Sequence, residues 1–260
     1  MIYTYSIHDL IPYINWVYYY YAWQLHDNVQ QQKSREEAEN LLGQLDGTYH
    51  VYGLFELFEA HAEDDDIIIH GTSSISIPCL RQQAPNSAHL CLADFVHPVR
   101  DQIGVFASSV DYGMECDFHH DPYKKMSVQL LADRLAEAAA ERLHMEVRRS
   151  IWGYASDEQL SMDDLHAERF QGIRPAVGYP SLPDTSVNFI LDRLIGFHQI
   201  GIRLTETGAM RPHASVSGLM ISLSGSHYFS VGRVGEDQLR DYAYRRGLPV
   251  ETLRRFLPDL

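Results

Sequence analysis

The residues best equipped for chemistry crowd into one stretch, GIRPAVGYPSLPD, at 172–184. Its three prolines fix φ and remove backbone donors, so it is neither a helix interior nor a central strand. Arg174 precedes Pro175, which biases it to extended geometry and holds its guanidinium out from the loop. A guanidinium can grip a carboxylate through two parallel hydrogen bonds. Gly178 lets a ligand touch backbone, and Tyr179 offers a flat face to an adenine ring or a sulfonium. The competing reading is a proline-stiffened connector between two helices. A second group is Asp133 and Glu137, like charges one helical turn apart, which cost about a few tenths of a kcal/mol if uncompensated. Either Arg134 and Arg142 offset them on a solvated face, or they meet a cationic ligand or a protonated partner.

Familiar catalytic signatures are missing. No GxGxxG follows a strand, and GxxxxGK[ST], HExxH and GxSxG do not occur. His119-His120-Asp121 offers half a metal site, but its plainer reading is a helix cap or a solvated loop, and no metal is assigned. Ser215-Val216-Ser217-Gly218 has no local partner for a nucleophile and reads as a small-residue turn where backbones approach closely.

These groups need elements to hold them. Asp9 to Leu25 is aromatic-rich and mixes turn with helix; Ser34 and Glu37 make a capping box opening a helix to about Leu45. Strand patterns cover Tyr49–Phe58, Ile67–His70, His89–Phe95, Gly104–Val110 and Tyr228–Val234. Helical patterns cover about Tyr123–Ile151, Met162–Phe170 and Thr185–Phe197, then two closing helices, the first stopped by Gly247. Strands early and helices late predict an α+β fold with a largely antiparallel sheet.

Composition narrows the partners. A chain of 260 residues, 45% hydrophobic and 22% charged, reads as an ordinary soluble globular protein with enough core to fold unaided. A net charge of −14 argues against nucleic acid or anionic lipid as the main partner. The basic pairs Lys124-Lys125, Arg148-Arg149, Arg245-Arg246 and Arg254-Arg255 read mostly as solvated helix faces. Cys79, Cys91 and Cys116 are odd in number and widely spaced, which fits a reducing cytoplasm. Neither a signal peptide nor a membrane span is read from the sequence.

Seven segments carry a resemblance. DLIPYINW (9–16), CLADFV (91–96), LLADRLAEAAAERLH (130–144), VRRSIWGYASDE (147–158), FQGIRPAVGYPSLPD (170–184), LTETGAMRPHASVSG (204–218) and YFSVGRVGEDQLRDYAYRRG (228–247) occur in this order. Together they resemble the C-terminal activation domain of cobalamin-dependent methionine synthase, from about Asp9 to Leu257. The resemblance implies a single C-shaped α+β domain over 1–260, with a twisted antiparallel sheet and flanking helices. It implies S-adenosylmethionine as ligand, and cobalamin held on a partner, the methionine synthase core chain, with a flavodoxin-like electron donor. In that family the module regenerates methylcobalamin from oxidised cob(II)alamin and is not catalytic alone.

Carried over by motif, Arg174 takes the ligand carboxylate, and backbone around Ala176, Gly178 and Tyr179 lines the adenosyl site. Tyr228 and Phe229 stand where the family has an aromatic pair, Glu137 falls on a ligand-side carboxylate, and Asp133 falls on the aspartate that meets the cobalamin-domain histidine. Asn15 stands where the family has Asp, an exchange that predicts roughly tenfold weaker binding because the charge-assisted bond is lost. Leu182 and Thr185 replace a family Cys and His, and Leu223-Ser224-Gly225 replaces a His-Pro-Asp-like turn. The chain also lacks the Asp-x-His-x-x-Gly cobalamin signature, so the implied role is reactivation in trans. The alternative is a diverged S-adenosylmethionine-binding or regulatory module without efficient reactivation.

Overall fold

The computed structural model describes residues 1–71 and 73–257; residues 72 and 258–260, part of the domain expected over 1–260, lie outside the described residues. Strand β1 (Ile2–Tyr5) leads through α1 (Ile7–Leu10) and α2 (Trp16–Ala22) into α3 (Asn28–Leu45). The capping box at Ser34 does not start α3. Asp27 does, accepting from the Val29 and Gln30 amides, so Ser34 lies inside the helix. Next come β2 (Val51–Glu63), β3 (Asp66–Ile69), β4 (Ile75–Pro78) and β5 (Asp101–Val110). The stretch expected as a strand at His89–Phe95 is instead a 3-10 turn, Leu92–Phe95, because the Asp94 carboxylate folds back onto the Cys91 amide at 2.8 Å.

Short α4 (Gly113–Cys116) precedes the long α5 (Pro122–Glu146), which is capped by Asp121 and extended by a π-helical turn at Val147–Ile151. Helices α6 (Met162–His166) and α7 (Val187–Ile195) follow, both shorter than their sequence patterns. A two-stranded ribbon, β6 (Arg203–Leu204) and β7 (Met210–Arg211), precedes β8 (Ser215–Met220). The chain closes with α8 (Glu236–Arg246), ended by left-handed Gly247, and α9 (Val250–Arg254).

The main sheet runs β4-β3-β2-β5-β8, with β1 also on β2, and every pair is antiparallel. Helices and strands thus form the expected α+β class around one antiparallel sheet. Strand β5 is the spine, and its alternation feeds two cores. Phe106 and Val110 join the layer under α5, whereas Ile103, Val105 and Ala107 join the layer under α7. Covering both faces explains why β5 reads as a continuous apolar run rather than an alternating one. The alanines of α5 (Ala132, Ala136, Ala139 and Ala140) are buried and let that helix sit close on the sheet, where the Ser108 hydroxyl donates to Ala136 O at 2.8 Å.

Three of the basic residues expected on solvated faces are drawn into ion pairs, Arg148 buried and Arg245 and Arg246 half-buried. Arg148 turns inward on the π turn, fully buried, pairs with Glu158 at 2.8 Å and lies over Phe170. Arg245 pairs with Asp66, and Arg246 with Asp184. Burying a guanidinium is tolerable only with such a partner.

Candidate functional site

The proline loop is pinned to the edge of β8. Ile173 and Ile221 exchange hydrogen bonds of 2.9 and 3.0 Å, the Val177 amide donates to Ser217 O at 2.9 Å, and the Leu219 amide donates to Pro175 O at 3.0 Å. The loop therefore runs beside β8 as an interrupted extra strand, Pro175 forbidding a continuous ladder. Residues 215–218, expected as a turn, are strand; the expected close approach at Gly218 is present, since a Cβ there would lie 2.2 Å from Pro175 O. At Gly178, φ is +87° and the amide donates to Leu182 O at 2.8 Å, a left-handed turn that favours glycine.

Alternation along this interrupted strand decides where Arg174 goes. Ile173 and Val177 enter the core under α7, so Arg174 faces the opposite layer, over Phe106 and towards α5. Its guanidinium is not held out from the loop. Its side chain is 12% exposed and Nη2 donates to Glu141 Oε2 at 2.9 Å, while the Arg174 amide donates to the Tyr228 hydroxyl at 2.9 Å. Burial opposes the charge on Arg174, but Glu141 together with Tyr228 and Glu137 more than offsets it and raises its pKa.

A cavity of about 620 Å³ opens between the start of α2, α5, the segment after α6, the proline loop and residues 228–230. Asn15, Glu137, Arg174, Ala176, Tyr179, Tyr228 and Phe229 all line it. Gly178 and Asp133 do not reach the lining; Gly178 shapes the turn behind Tyr179. The Tyr179 ring is half exposed, and its hydroxyl donates to Glu137 Oε1 at 2.5 Å. Burial and the Glu137 charge push the Tyr179 phenol above its ordinary range. So, among the described residues, neither arginine expected to offset the Asp133–Glu137 pair forms an ion pair with it, although the nearby Arg134 charge does favour the Asp133 carboxylate. Tyr179 serves Glu137, and His213 Nδ1 lies 3.3 Å from Asp133 Oδ1, while Arg142 pairs with Glu146 and Arg134 lies over Tyr18. Burial raises the Asp133 pKa.

Residues 228–234 form no strand. The Ser181 hydroxyl donates to Phe229 O and accepts from the Phe229 amide, the Val231 amide donates to Pro180 O, and Gln82 donates to Ser230 O. With these groups taken by loop partners, no ladder is left to form. Tyr228 and Phe229 are thereby fixed against the proline loop. Asn15 caps α2, its Oδ1 accepting from the Val17 amide at 3.2 Å.

A family model described as "Vitamin B12 dependent methionine synthase, activation domain" matches residues 6–247. The chain belongs to that family. Among solved structures, one described as the MetH reactivation domain bound to AdoHcy is similar at a TM-score of 0.90 and 36% identity. The match covers 98% of this chain and 89% of that one. For an activation domain the cavity has an informative chemistry: aromatic faces at Tyr179, Tyr228 and Phe229, carboxylates at Glu137, Glu141 and Glu168, and guanidinium groups at Arg134 and Arg174.

Sequence reasoning missed Glu141 and Glu168 as cavity residues. Glu141 stands one turn beyond Glu137, so the Asp133–Glu137 spacing continued by four residues is the signal that would have found it. Glu168 carried no such pattern; it takes a left-handed φ of +56°, and burial raises its pKa. Among the described residues no group of three or more His, Cys, Asp or Glu is placed to hold a metal, and no helix is long and apolar enough to cross a membrane.

Proposed function

We propose that this chain binds S-adenosylmethionine in the cavity and presents it, as a single domain acting in trans, for reductive methylation of cob(II)alamin on a partner methionine synthase core. The observation that carries the reading is the convergence of seven motif residues on one cavity, in a chain whose 36%-identical neighbour was solved with AdoHcy bound. The cavity falls within the range of about 300–1,000 Å³ common to small-molecule sites. Its wall also holds the Glu141–Arg174 pair, in which Arg174 Nε and Glu141 Oε1 are buried without a partner among the described residues.

Arg174 binds the ligand carboxylate, and Tyr179, Tyr228 and Phe229 enclose the adenosyl group together with Ala176. Glu137, oriented by the Tyr179 hydroxyl, sets a negative charge near the sulfonium. Ligand methyl and one electron from a flavodoxin-like donor supply what cob(II)alamin needs to become methylcobalamin, and this chain's part is to hold and aim the methyl group. Asp133 accepts a cationic or protonated group of the partner, which must displace His213, itself 86% exposed and so readily moved. The cytoplasm is the setting for such a donor.

Calorimetry should show binding of S-adenosylmethionine and AdoHcy. Adding the chain, ligand and a reductant to a cob(II)alamin-loaded core should restore the methylcobalamin spectrum, with Asp133→Asn slowing recovery but leaving ligand affinity intact. Absence of ligand binding would refute the reading. Binding without recovery would favour a diverged binding or regulatory module, the reading that the uncharged, cap-engaged Asn15 supports.

A further inference from the structure

The Glu141–Arg174 pair is incomplete in a specific way. Both side chains are nearly sealed from solvent, at 11% and 12% exposure, yet only Nη2 and Oε2 are joined, at 2.9 Å. Arg174 Nε and Glu141 Oε1 are buried and have no partner among the described residues. A side-on fork would satisfy both atoms at once, and a pair one hydrogen bond short in a dry place is costly. Nη1 also has no protein acceptor among the described residues, but unlike Nε it is not sealed, so it is the guanidinium nitrogen left for the cavity.

Charge sharpens the argument. Beside a lone buried guanidinium, any anion would be welcome, including the phosphates of adenine nucleotides. With Glu141 attached, the pair is formally neutral, and a bound anion feels both charges within a few ångströms. The ligand head that suits an adjacent cation and anion is one that carries both. An α-amino acid does so, its carboxylate towards Nη1 and its ammonium towards the Oε2 side of the Glu141 carboxylate, since Oε1, like Nε, is sealed. Asn15, the other polar side chain at the start of α2, is neutral and engaged in capping, so it leaves this task open.

We propose that Glu141 is a positioning and specificity residue: it fixes Arg174 by one nitrogen and makes the cavity select a zwitterionic α-amino acid head over a simple carboxylate. This rests on the adenosyl-ligand reading above. Its test compares AdoHcy, the AdoHcy analogue lacking the α-amino group, and 5′-methylthioadenosine, which has no amino acid head, on the wild type and on Glu141→Gln by calorimetry. In Glu141→Gln, AdoHcy should bind about ten- to a hundredfold more weakly, the range of one charge-assisted hydrogen bond. The preference for AdoHcy over its deaminated analogue should fall by a similar factor, and 5′-methylthioadenosine should bind within about twofold of wild type.

Equal loss for all three ligands would reduce Glu141 to a structural role and overturn the proposal, as would an unchanged preference ratio. If Glu141→Gln does not fold, Glu141→Asp keeps the charge and shortens the reach. Its preference ratio should still drop several-fold, and an unchanged ratio overturns the proposal. A wild type that binds neither AdoHcy nor 5′-methylthioadenosine refutes the adenosyl reading itself, an outcome distinct from wild-type binding with an indifferent Glu141.

Discussion

Gly218→Ala tests whether seating the proline loop on β8 builds the site. The added Cβ would stand 2.2 Å from Pro175 O, 2.9 Å from the Ala176 Cα and 2.9 Å from Phe106 Cε1. Two of these neighbours are backbone and the third is a fully buried ring, so none can swing aside. Restoring an ordinary contact of roughly 3.3 Å to Pro175 O requires about 1 Å of separation between strand and loop. That shift strains the hydrogen bonds Leu219 N to Pro175 O, at 3.0 Å, and Val177 N to Ser217 O, at 2.9 Å. Overpacking costs about 1–3 kcal/mol and each of the two weakened hydrogen bonds up to about 1 kcal/mol more, which gives about 1–5 kcal/mol of lost stability. Arg174 and Ala176 lie on the displaced segment, and a 1 Å error at a site can cost about a hundredfold in function. Urea unfolding should show the lost stability, and calorimetry at a temperature where the variant is folded should show AdoHcy binding weakened by at least tenfold. A variant within about 0.5 kcal/mol of wild type that binds AdoHcy normally would show that loop and strand are not tightly seated.

Burial, with Arg148 and Arg174 nearby, holds the His144 pKa well below 6.5, so below that pH the unfolded chain binds a proton that the folded one refuses. Its stabilising share is complete above pH 6.5 and falls with decreasing pH by about 1.4 kcal/mol per unit. His144→Gln should therefore lose less stability than wild type between pH 7.5 and 5.5, and parallel loss in urea titrations would refute this. Arg174→Lys keeps the charge but cannot reach Glu141 with one nitrogen and the cavity with another, and should weaken AdoHcy binding by about 1–3 kcal/mol; equal calorimetric affinity would remove Arg174 from the site. Asn15→Asp preserves the α2 cap and should tighten S-adenosylmethionine binding, more so at low salt; equal or weaker binding would show that no ligand charge lies near that position.

The elements that the sequence announces are those whose pattern is long or chemically loud. The helix from Pro122 is marked by its alanines, the spine strand by its apolar run, and the proline loop by residues no regular element tolerates. Short strands escape because their warrant is non-local. Strand β8, S-V-S-G-L-M, has little β-propensity, and is a strand because β5, about a hundred residues earlier, and the proline loop flank it. Residues 228–234 fail in the opposite direction: aromatic and β-branched types suggest a strand, but their backbone groups are claimed by Ser181, Pro180 and Gln82.

Charge is where sequence reading goes furthest astray, and Arg174 shows why. Its neighbour Pro175 argues for an extended backbone, and the loop is extended there. But extended geometry says only that successive side chains alternate, not which layer lies on each side. Ile173 and Val177 claim the layer under α7, and this commits Arg174 to the layer under α5, where Glu141 waits 33 residues away. Arg148, Arg245 and Arg246 are drawn inward by the same logic, each by a carboxylate that no local pattern connects to it. The consequence for the site is quantitative. A free guanidinium on a loop could offer a ligand its full fork, whereas Arg174 has already given one nitrogen to Glu141. What remains for the carboxylate is an oriented, partly neutralised edge. Affinity at this end must therefore come from the pair acting on both charges of the ligand, not from the arginine alone.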